Sequence, residues 1–419
     1  MGEGGTDETR NAEGGTRNNG GTRNSSRQCP TAFRASRVEP SLSVPRSAFR
    51  VPRWVVVGLR VLLAGGGTGG HLMPALALAQ ALRDARPGIE PVLVGAARGI
   101  EAQVLPRYPF RHRLLPIEPL YRRTWWKNLR WLLIAGPVWR AVGRVLDEER
   151  PAIVIGTGGY AAGPVVWRAQ RAGLPTVLVE ENAFPGLTTR WLARRARQIH
   201  LGFPEARARL RPGAATNVFT LGNPVRPPEP GARAAALTEL GLGAERATLL
   251  VFGGSQGART INYAVAGALE RRLLDAVNVL WGTGLEHADA LGRYAAPGRV
   301  VIRGFFDPMT IPYRAADVVV ARAGAMTVAE LCAWGKPSIL VPLPSAAADH
   351  QAHNARALAA AGAAIHLPEH DLTPYALADQ VGRLLGDRAR LESLAAQARA
   401  RGNPNAARDI VSKILTVVT

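Results

Sequence analysis

The stretch Val61-Leu62-Leu63-Ala64-Gly65-Gly66-Gly67-Thr68-Gly69-Gly70-His71-Leu72-Met73-Pro74-Ala75-Leu76 decides how this chain is read. Its apolar run 61–64 predicts a buried strand, its glycines a tight turn, and the Leu- and Ala-rich run beyond them a helix over 73–86. Glycine carries no Cβ, so a ligand can approach the backbone to hydrogen-bond distance. A helix start adds unpaired N–H groups and the positive end of a dipole, a combination that receives anions. Pro74 is expected in the first helical turn, where its missing N–H costs nothing. His71 brings a titratable group to a turn suited to phosphate. A glycine turn made for packing alone is the competing reading. The spacing is neither GxGxxG with an acid ~20 residues on nor GxxxxGK[ST], which argues against a nicotinamide oxidoreductase and a P-loop.

Outward from this stretch the same unit recurs. Strands are expected at 91–95, 152–156 and 176–180, then at 248–252, 277–282, 300–303, 318–320 and 338–342. A second glycine turn spans Gly156-Thr157-Gly158-Gly159-Tyr160-Ala161-Ala162-Gly163-Pro164, and a third spans Gly253-Gly254-Ser255-Gln256-Gly257-Ala258-Arg259. Short apolar runs alternating with helical patterns predict an α/β protein with doubly wound parallel sheets. Prolines cluster in Gly222-Asn223-Pro224-Val225-Arg226-Pro227-Pro228-Glu229-Pro230, which reads as an interdomain linker. Ligands sit at the carboxyl ends of such strands, so two facing halves would enclose a cleft.

The chain has 419 residues, enough for two domains, and 47% are apolar. Its net charge of +20 invites a nucleic-acid partner, but the positive residues are nearly all arginine in an Ala-, Gly- and Pro-rich background, and no recognition motif is present. Cys29 and Cys332 form no disulfide framework and lack metal spacing. No apolar run approaches the ~20 residues of a spanning helix, and the N-terminus has no apolar core of a signal peptide. Residues 1–57 are low complexity, with Gly14-Gly15-Thr16-Arg17 repeated as Gly20-Gly21-Thr22-Arg23, and are expected to be disordered. Val55, Val56 or Val57 is a candidate for the natural start.

Five motifs in one order carry a resemblance: GGTGGH at 66–71, GTGGYAAGP at 156–164, GNPVR at 222–226, GGSQGAR at 253–259 and ARAGAMTVAE at 321–330. Over residues 58–419 the chain resembles the glycosyltransferases that move N-acetylglucosamine from UDP-GlcNAc to the lipid-linked muramoyl-pentapeptide (lipid I), making lipid II for bacterial peptidoglycan. The resemblance implies a GT-B fold of two Rossmann-like domains: 58–225 for the acceptor and the membrane, 226–400 for the donor. It further implies that a helix in 401–419 packs back toward the first. For the donor it implies Arg226, Ser255, Gln256, Gly257, Phe305, Phe306, Glu330, His350 and Gln351, with Thr68, Gly69 and Asn182 reaching it from the N-terminal half. For the acceptor it implies Gly66, Gly67, Gly70, Gly158, Gly159 and Tyr160. Read without the family, Phe305 and Phe306 are equally core residues, and Glu330 a solvated helix acid. Many relatives read His-Glu-Gln-Asn where this chain has Val179-Glu180-Glu181-Asn182, so a mechanism needing that histidine is not available here. Ala323 stands where some relatives carry serine.

The family inverts the anomeric centre, so a single displacement suffices. A base must take the acceptor proton, and His71 is the first candidate because its ordinary pKa lies near neutrality; Glu180 is the second. No Asp-x-Asp motif follows a strand, so neither a metal nor a cofactor is expected, UDP-GlcNAc being a substrate. The stretch 107–144 carries Arg107, Arg111, Arg113, Arg122, Arg123, Lys127, Arg130, Arg140 and Arg144, with only Glu118 opposing by sequence position. Tyr121, Trp125, Trp126, Trp131 and Trp139 are interleaved with Leu129, Leu132, Leu133 and Ile134. That mixture suits an anionic bilayer surface; a half-buried helix with a solvated arginine face is the alternative. The resemblance implies a peripheral place on the cytoplasmic face of the plasma membrane and cell-wall synthesis proteins as partners. A UDP-GlcNAc 2-epimerase can share the fold but needs no basic-aromatic surface, and a non-catalytic nucleotide-sugar binder or membrane scaffold needs neither His71 nor Glu330.

Overall fold

Short runs of Val, Leu and Ile, too short for stable helices and flanked by glycine, form two parallel sheets. The computed structural model describes residues 58–119, 125–254 and 256–418, which belong to one compact unit. Residues 1–57, including Cys29, and also Tyr121, Arg122, Arg123 and Ser255, lie outside the described residues, as do the side chains of Trp125 and Lys127.

The N-terminal lobe runs β1 (Leu59–Ala64), α1 (Gly69–Ala85), β2 (Ile89–Ala96), α2 (Glu101–Val104), β3 (Arg111–Leu115) and α3 (Trp131–Glu149). It continues through β4 (Ile153–Gly156), α4 (Gly159–Arg171), β5 (Thr176–Glu180), α5 (Leu187–Leu192), β6 (Gln198–Leu201) and β7 (Asn217–Thr220). Its sheet order is β3-β2-β1-β4-β5-β6-β7, all parallel.

The C-terminal lobe opens with α6 (Arg233–Glu239), β8 (Thr248–Phe252), α7 (Arg259–Glu270), β9 (Asn278–Gly282), α8 (Ala288–Leu291), β10 (Val300–Arg303) and α9 (Thr310–Ala315). Then come β11 (Val318–Ala321), α10 (Ala325–Trp334), β12 (Ser338–Leu340), α11 (His350–Ala360), β13 (Ile365–His366), α12 (Pro374–Gly386), α13 (Arg388–Arg401) and α14 (Ala406–Val418). Here the order is β10-β9-β8-β11-β12-β13, also all parallel. Both sheets therefore reverse direction at the strand pair led by their first strand, β1/β4 and β8/β11, and the crevice outside those carboxyl ends is where such folds bind ligands.

Each sheet is covered on both faces. α1 and α14 cover one face of the first sheet, where Ile410, Val411 and Ile414 are buried with Val61, Leu63 and Leu72. Burying those three side chains is worth roughly 1.5–3 kcal/mol each, which fastens the end of the chain to the lobe that begins it. α3 and α4 cover the other face through Val142, Leu146, Val165 and Val166.

Two expectations need correction. α1 starts at Gly69, so Pro74 lies inside the helix and not in its first turn; its missing N–H leaves one helical carbonyl without its usual partner. The basic stretch 107–144 is also less free than its composition implies. Arg111 and Arg113 sit on edge strand β3 and pair with the buried Glu149, and Arg130 pairs with Glu118. Trp131 and Ile134 pack on the core, while Trp139 lies against Trp167, ring centroids 4.7 Å apart and tilted by 58°, with the Arg168 guanidinium over the Trp139 ring. What remains outward is Trp126, Leu129, Leu132 and Leu133, the last two 81% and 79% exposed.

Candidate active site

The β1–β4 register sets Ala64 beside Gly156, so the two glycine turns that come next leave the sheet side by side. They interlock. Gly158 has φ 93°, and a Cβ there would stand 2.6 Å from His71 Nδ1; Gly159 has φ 76°, and a Cβ there would stand 1.9 Å from the Gly66 carbonyl oxygen. The glycines thus serve packing and exposed backbone at once. Gly69 and Gly70 open α1, and helix geometry leaves their amides without an intrahelical acceptor.

His71 is the group these turns enclose. Its Nδ1 lies 3.2 Å from the Thr157 carbonyl oxygen and 3.2 Å from Glu181 Oε2, while Thr157 Oγ1 donates back to the His71 carbonyl at 2.8 Å. Two acceptors at Nδ1 assign the proton to that nitrogen, and Nε2 has no hydrogen-bond partner among the described residues. Burial opposes charge on this ring, but a quarter of the side chain stays open, and the Glu181 carboxylate beside it dominates: the His71 pKa is raised to about 9. Glu181 is 2% exposed, and burial pushes its carboxyl up to about 7 against the opposing pull of His71. The two protons therefore belong to the pair.

Several residues expected at the site do other work. The Gly67 amide, expected on the acceptor, donates to the carboxylate of Glu101, which is wholly buried beneath the turn. Glu180, the second candidate base, is 2% exposed: Oε1 accepts from the Asn182 amide at 3.1 Å and Oε2 from the Gly186 amide at 2.9 Å. It shapes the loop after β5 and is not presented as a base. Asn182, expected on the donor, is buried, and its Oδ1 accepts from Asn354 Nδ2 at 3.1 Å. Val179 faces the core between sheet and helix, so a histidine at that position would not reach the site. Thr68 is exposed, and the ring of Tyr160 lies against Gly67, where a Cβ would stand 2.3 Å from it.

The loop after β5 is also the seam between the lobes. Asn354 Oδ1 accepts from the Ala183 amide at 2.9 Å, and its Nδ2 donates to the Ala323 carbonyl at 3.1 Å. Asn223 Nδ2 donates to the Glu181 carbonyl at 2.9 Å. Sequence reading missed Glu181, Asn223, Asn354 and Glu101 as functional or organising groups. The adjacent acids 180 and 181, opposite in facing along the end of a strand, were the available signal.

In the C-terminal lobe, Tyr313 Oη donates to Glu330 Oε2 at 2.8 Å, and Oε1 has no hydrogen-bond partner among the described residues. Burial raises the Glu330 carboxyl above its ordinary value, with Tyr313 and the Arg226 charge drawing it back. Glu330 is thus no solvated surface acid, and Arg226 from the linker lies within its field. Gly257 closes the turn before α7 by donating to the Gly254 carbonyl at 3.0 Å, while Gln256 is exposed. Phe305 is 47% exposed, but Phe306 is buried in the core, so its ring has no face for a ligand and only its backbone remains for one. Gln351 spends its Oε1 on the Leu343 amide at 3.0 Å. His350 bonds through Nδ1 with the Ala347 carbonyl at 2.7 Å. Burial lowers the His350 pKa, and the charges of His71 and Glu180 act on it from the other lobe.

Comparison with known proteins agrees with this layout. Residues 61–201 match the glycosyltransferase family 28 N-terminal domain, and residues 248–414 its C-terminal domain. The chain is 42% identical to the UDP-N-acetylglucosamine–N-acetylmuramyl-(pentapeptide) pyrophosphoryl-undecaprenol N-acetylglucosamine transferase of Chlorobaculum parvum, covering 86% of this chain and 99% of that protein. It is 41% identical to the transferase of the same name from Moorella thermoacetica, with the same two shares. Among solved structures, MurG of Acinetobacter baumannii superposes with a TM-score of 0.67 at 28% identity, over 85% of this chain and 99% of that one. A UDP-N-acetylglucosamine 2-epimerase structure from Listeria monocytogenes, at 16% identity and TM-score 0.58, shares the fold alone. The chain belongs to glycosyltransferase family 28.

Proposed function

We propose that this chain transfers N-acetylglucosamine from UDP-GlcNAc to the muramoyl 4-hydroxyl of lipid I, giving lipid II for peptidoglycan. The observation that carries the reading is His71, held between two interlocked glycine turns at the strand-order reversal, with Nδ1 bound inward and Nε2 without a hydrogen-bond partner among the described residues. The acceptor oxygen attacks the anomeric carbon from the face opposite the diphosphate. The carbon–oxygen bond to phosphate breaks, UDP leaves with the electron pair, and the hydroxyl proton passes to His71 Nε2. The state between is oxocarbenium-like, as in glycoside hydrolysis. The amides at the start of α1 and α4 are suited to the acceptor diphosphate. The turn before α7 and Arg226 are suited to the leaving UDP. Glu330 Oε1 is suited to the ribose hydroxyls and Phe305 to the uracil.

The outward apolar group Trp126, Leu129, Leu132 and Leu133, in a stretch of chain that also exposes Arg107, Arg140 and Arg144, supports a peripheral seat on the anionic cytoplasmic face of the plasma membrane. No helix of the described residues is long and apolar enough to cross a membrane.

The test is incubation with labelled UDP-GlcNAc and a short-chain lipid I analogue, with and without chelator. Labelled disaccharide product is expected in both arms. Absence of transfer with UDP-GlcNAc bound would reject the reading. His71→Ala is expected to leave UDP affinity nearly unchanged and to cut turnover by at least about tenfold.

A further inference from the structure

Beyond the diphosphate and the sugar, the lipid I acceptor carries a pentapeptide, and any pentapeptide ends in a carboxylate. We propose that Arg190 and Arg209, which converge on the ring of Phe184, form a subsite for the peptide carboxylates of the acceptor; this rests on lipid I being the acceptor.

Phe184 lies three residues after Glu181 in the loop beyond β5. Its ring stacks on His353 of α11 across the seam, centroids 4.8 Å apart and 19° from parallel. The Arg209 guanidinium lies 4.7 Å from the Phe184 centroid and that of Arg190 lies 5.4 Å from it. Both arginines are exposed, and among the described residues neither has a carboxylate partner, unlike Arg60, Arg111, Arg113 and Arg401. One aromatic ring therefore holds two forked donors in place by cation–π contact, at modest entropic cost to a ligand that bridges them. A carboxylate is the group whose geometry such a fork matches.

The position is right for the end of a peptide. His350 and His353 stand one helical turn apart on α11, and His350 is close enough to His71 and Glu180 to feel their charges. Phe184 also follows Glu181, the partner of His71, by only three residues, which span at most roughly 11 Å, so the arginine pair on its ring stands within a short peptide's length of the reacting end of the acceptor. Five extended residues span at most roughly 17 Å, which reaches it. The competing occupant is an anionic lipid headgroup.

The experiment compares the full chain with its Arg190→Gln/Arg209→Gln variant on three short-chain acceptors: one with the free pentapeptide, one with every peptide carboxyl amidated, and one with no peptide. For the free pentapeptide the variant is expected to show a KM about tenfold higher with kcat within about twofold, as loss of two exposed charge-assisted contacts implies. For the other two acceptors wild type and variant are expected to coincide. An unchanged KM for the free pentapeptide, or an equal rise with the peptide-free acceptor, overturns the proposal. Sedimentation with vesicles containing phosphatidylglycerol is expected to be the same for both proteins. A loss confined to the variant there, with unchanged KM in detergent, assigns the arginines to lipid and also overturns it. If wild type transfers to none of the three acceptors, it is the function that fails and not the subsite.

Discussion

Replacing Glu181 with glutamine isolates what its charge does to His71. The amide keeps the shape of the carboxyl and can still accept from Nδ1–H, so the ring should stay in place; only the charge is removed. With Glu181 ionised the His71 pKa stands at about 9, against an ordinary value of 6.5. That difference corresponds to roughly 3 kcal/mol of preference for the imidazolium. It also means that at neutral pH most free enzyme molecules hold His71 protonated and only a minority hold it able to take a proton. In Glu181→Gln, burial is opposed only by the more distant Glu180 charge and the Thr157 carbonyl, and the pKa falls toward the ordinary value. The acid limb of kcat/KM for the acceptor should therefore move from about pH 9 toward about 6.5, a shift of ~2 units. Above pH 9.5 the variant should be the slower enzyme, because its neutral imidazole is the weaker base; the two profiles should cross between about pH 6.5 and 9, and below the crossing the variant should be the faster. The assay is kcat/KM at limiting acceptor from pH 5.5 to 10.5, with UDP-GlcNAc saturating. Coincident acid limbs would show that Glu181 does not set the basicity of the catalytic group. A wild-type rate that falls as pH rises through 9 would make His71 a cation that stabilises phosphate, not a base.

Gly158→Ala places a methyl against His71 at φ 93°, so turnover is expected to fall at least about tenfold with stability reduced by roughly 1–3 kcal/mol, read by kinetics and urea unfolding. Unchanged turnover would mean that the second turn does not hold the ring. Asn354→Ala strips partners from the Ala183 amide, the Asn182 side chain and the Ala323 carbonyl, all within the seam; a loss of about 2–5 kcal/mol is expected, with the calorimetric transition splitting as the lobes uncouple. A loss below about 1 kcal/mol would refute the network's role. His200 is wholly buried, stacks on Phe219 and is pushed down to about 4 by burial. Below pH 6.5 the unfolded chain takes up a proton that the folded chain refuses until about pH 4, so stability should fall across that window by roughly 3 kcal/mol. A ring-proton NMR titration midpoint near 6.5 for His200 would refute it.

What the sequence disclosed was governed by burial on both faces of a strand. β5 and β8 fall at the predicted residues because each is an inner strand with an apolar run between turn residues, and β10, though at an edge, falls there because its Val300-Val301-Ile302 run is apolar. β3, Arg111-His112-Arg113-Leu114-Leu115, reads as part of a basic surface because an edge strand need not be apolar, and its arginines are neutralised by Glu149, 36 residues on from Arg113. β7 at the opposite edge was hidden for the same reason. At the site, motif spacing located His71 and both glycine turns, since their chemistry is local. The Glu181 pairing was not legible: it joins residues 110 apart and exists only because the β1–β4–β5 register brings two strand ends together. Phe306 and Glu180 misled because a motif specifies a position along the chain but not which way a side chain turns.

In a chain with 52 basic and 32 acidic residues, a carboxylate withdrawn from water is the discriminating observation, because abundant arginines could pair with it at the surface at little cost. Glu101 holds the first glycine turn, Glu180 the loop after β5, and Glu181 the histidine between them. Glu181 is in turn placed by the linker, through Asn223 on its carbonyl, and by the other lobe, through Asn354 on the next two residues. Any opening of the seam that lengthened those bonds would also draw the carboxylate from Nδ1 and lower the basicity of His71. Catalytic competence is thereby tied to lobe closure, without a separate switch: Asn354→Ala should depress kcat more than a loss of stability explains, and should move the acid limb in the same direction as Glu181→Gln. An Asn354→Ala enzyme with a wild-type pH profile would separate the two and leave the seam a purely structural joint.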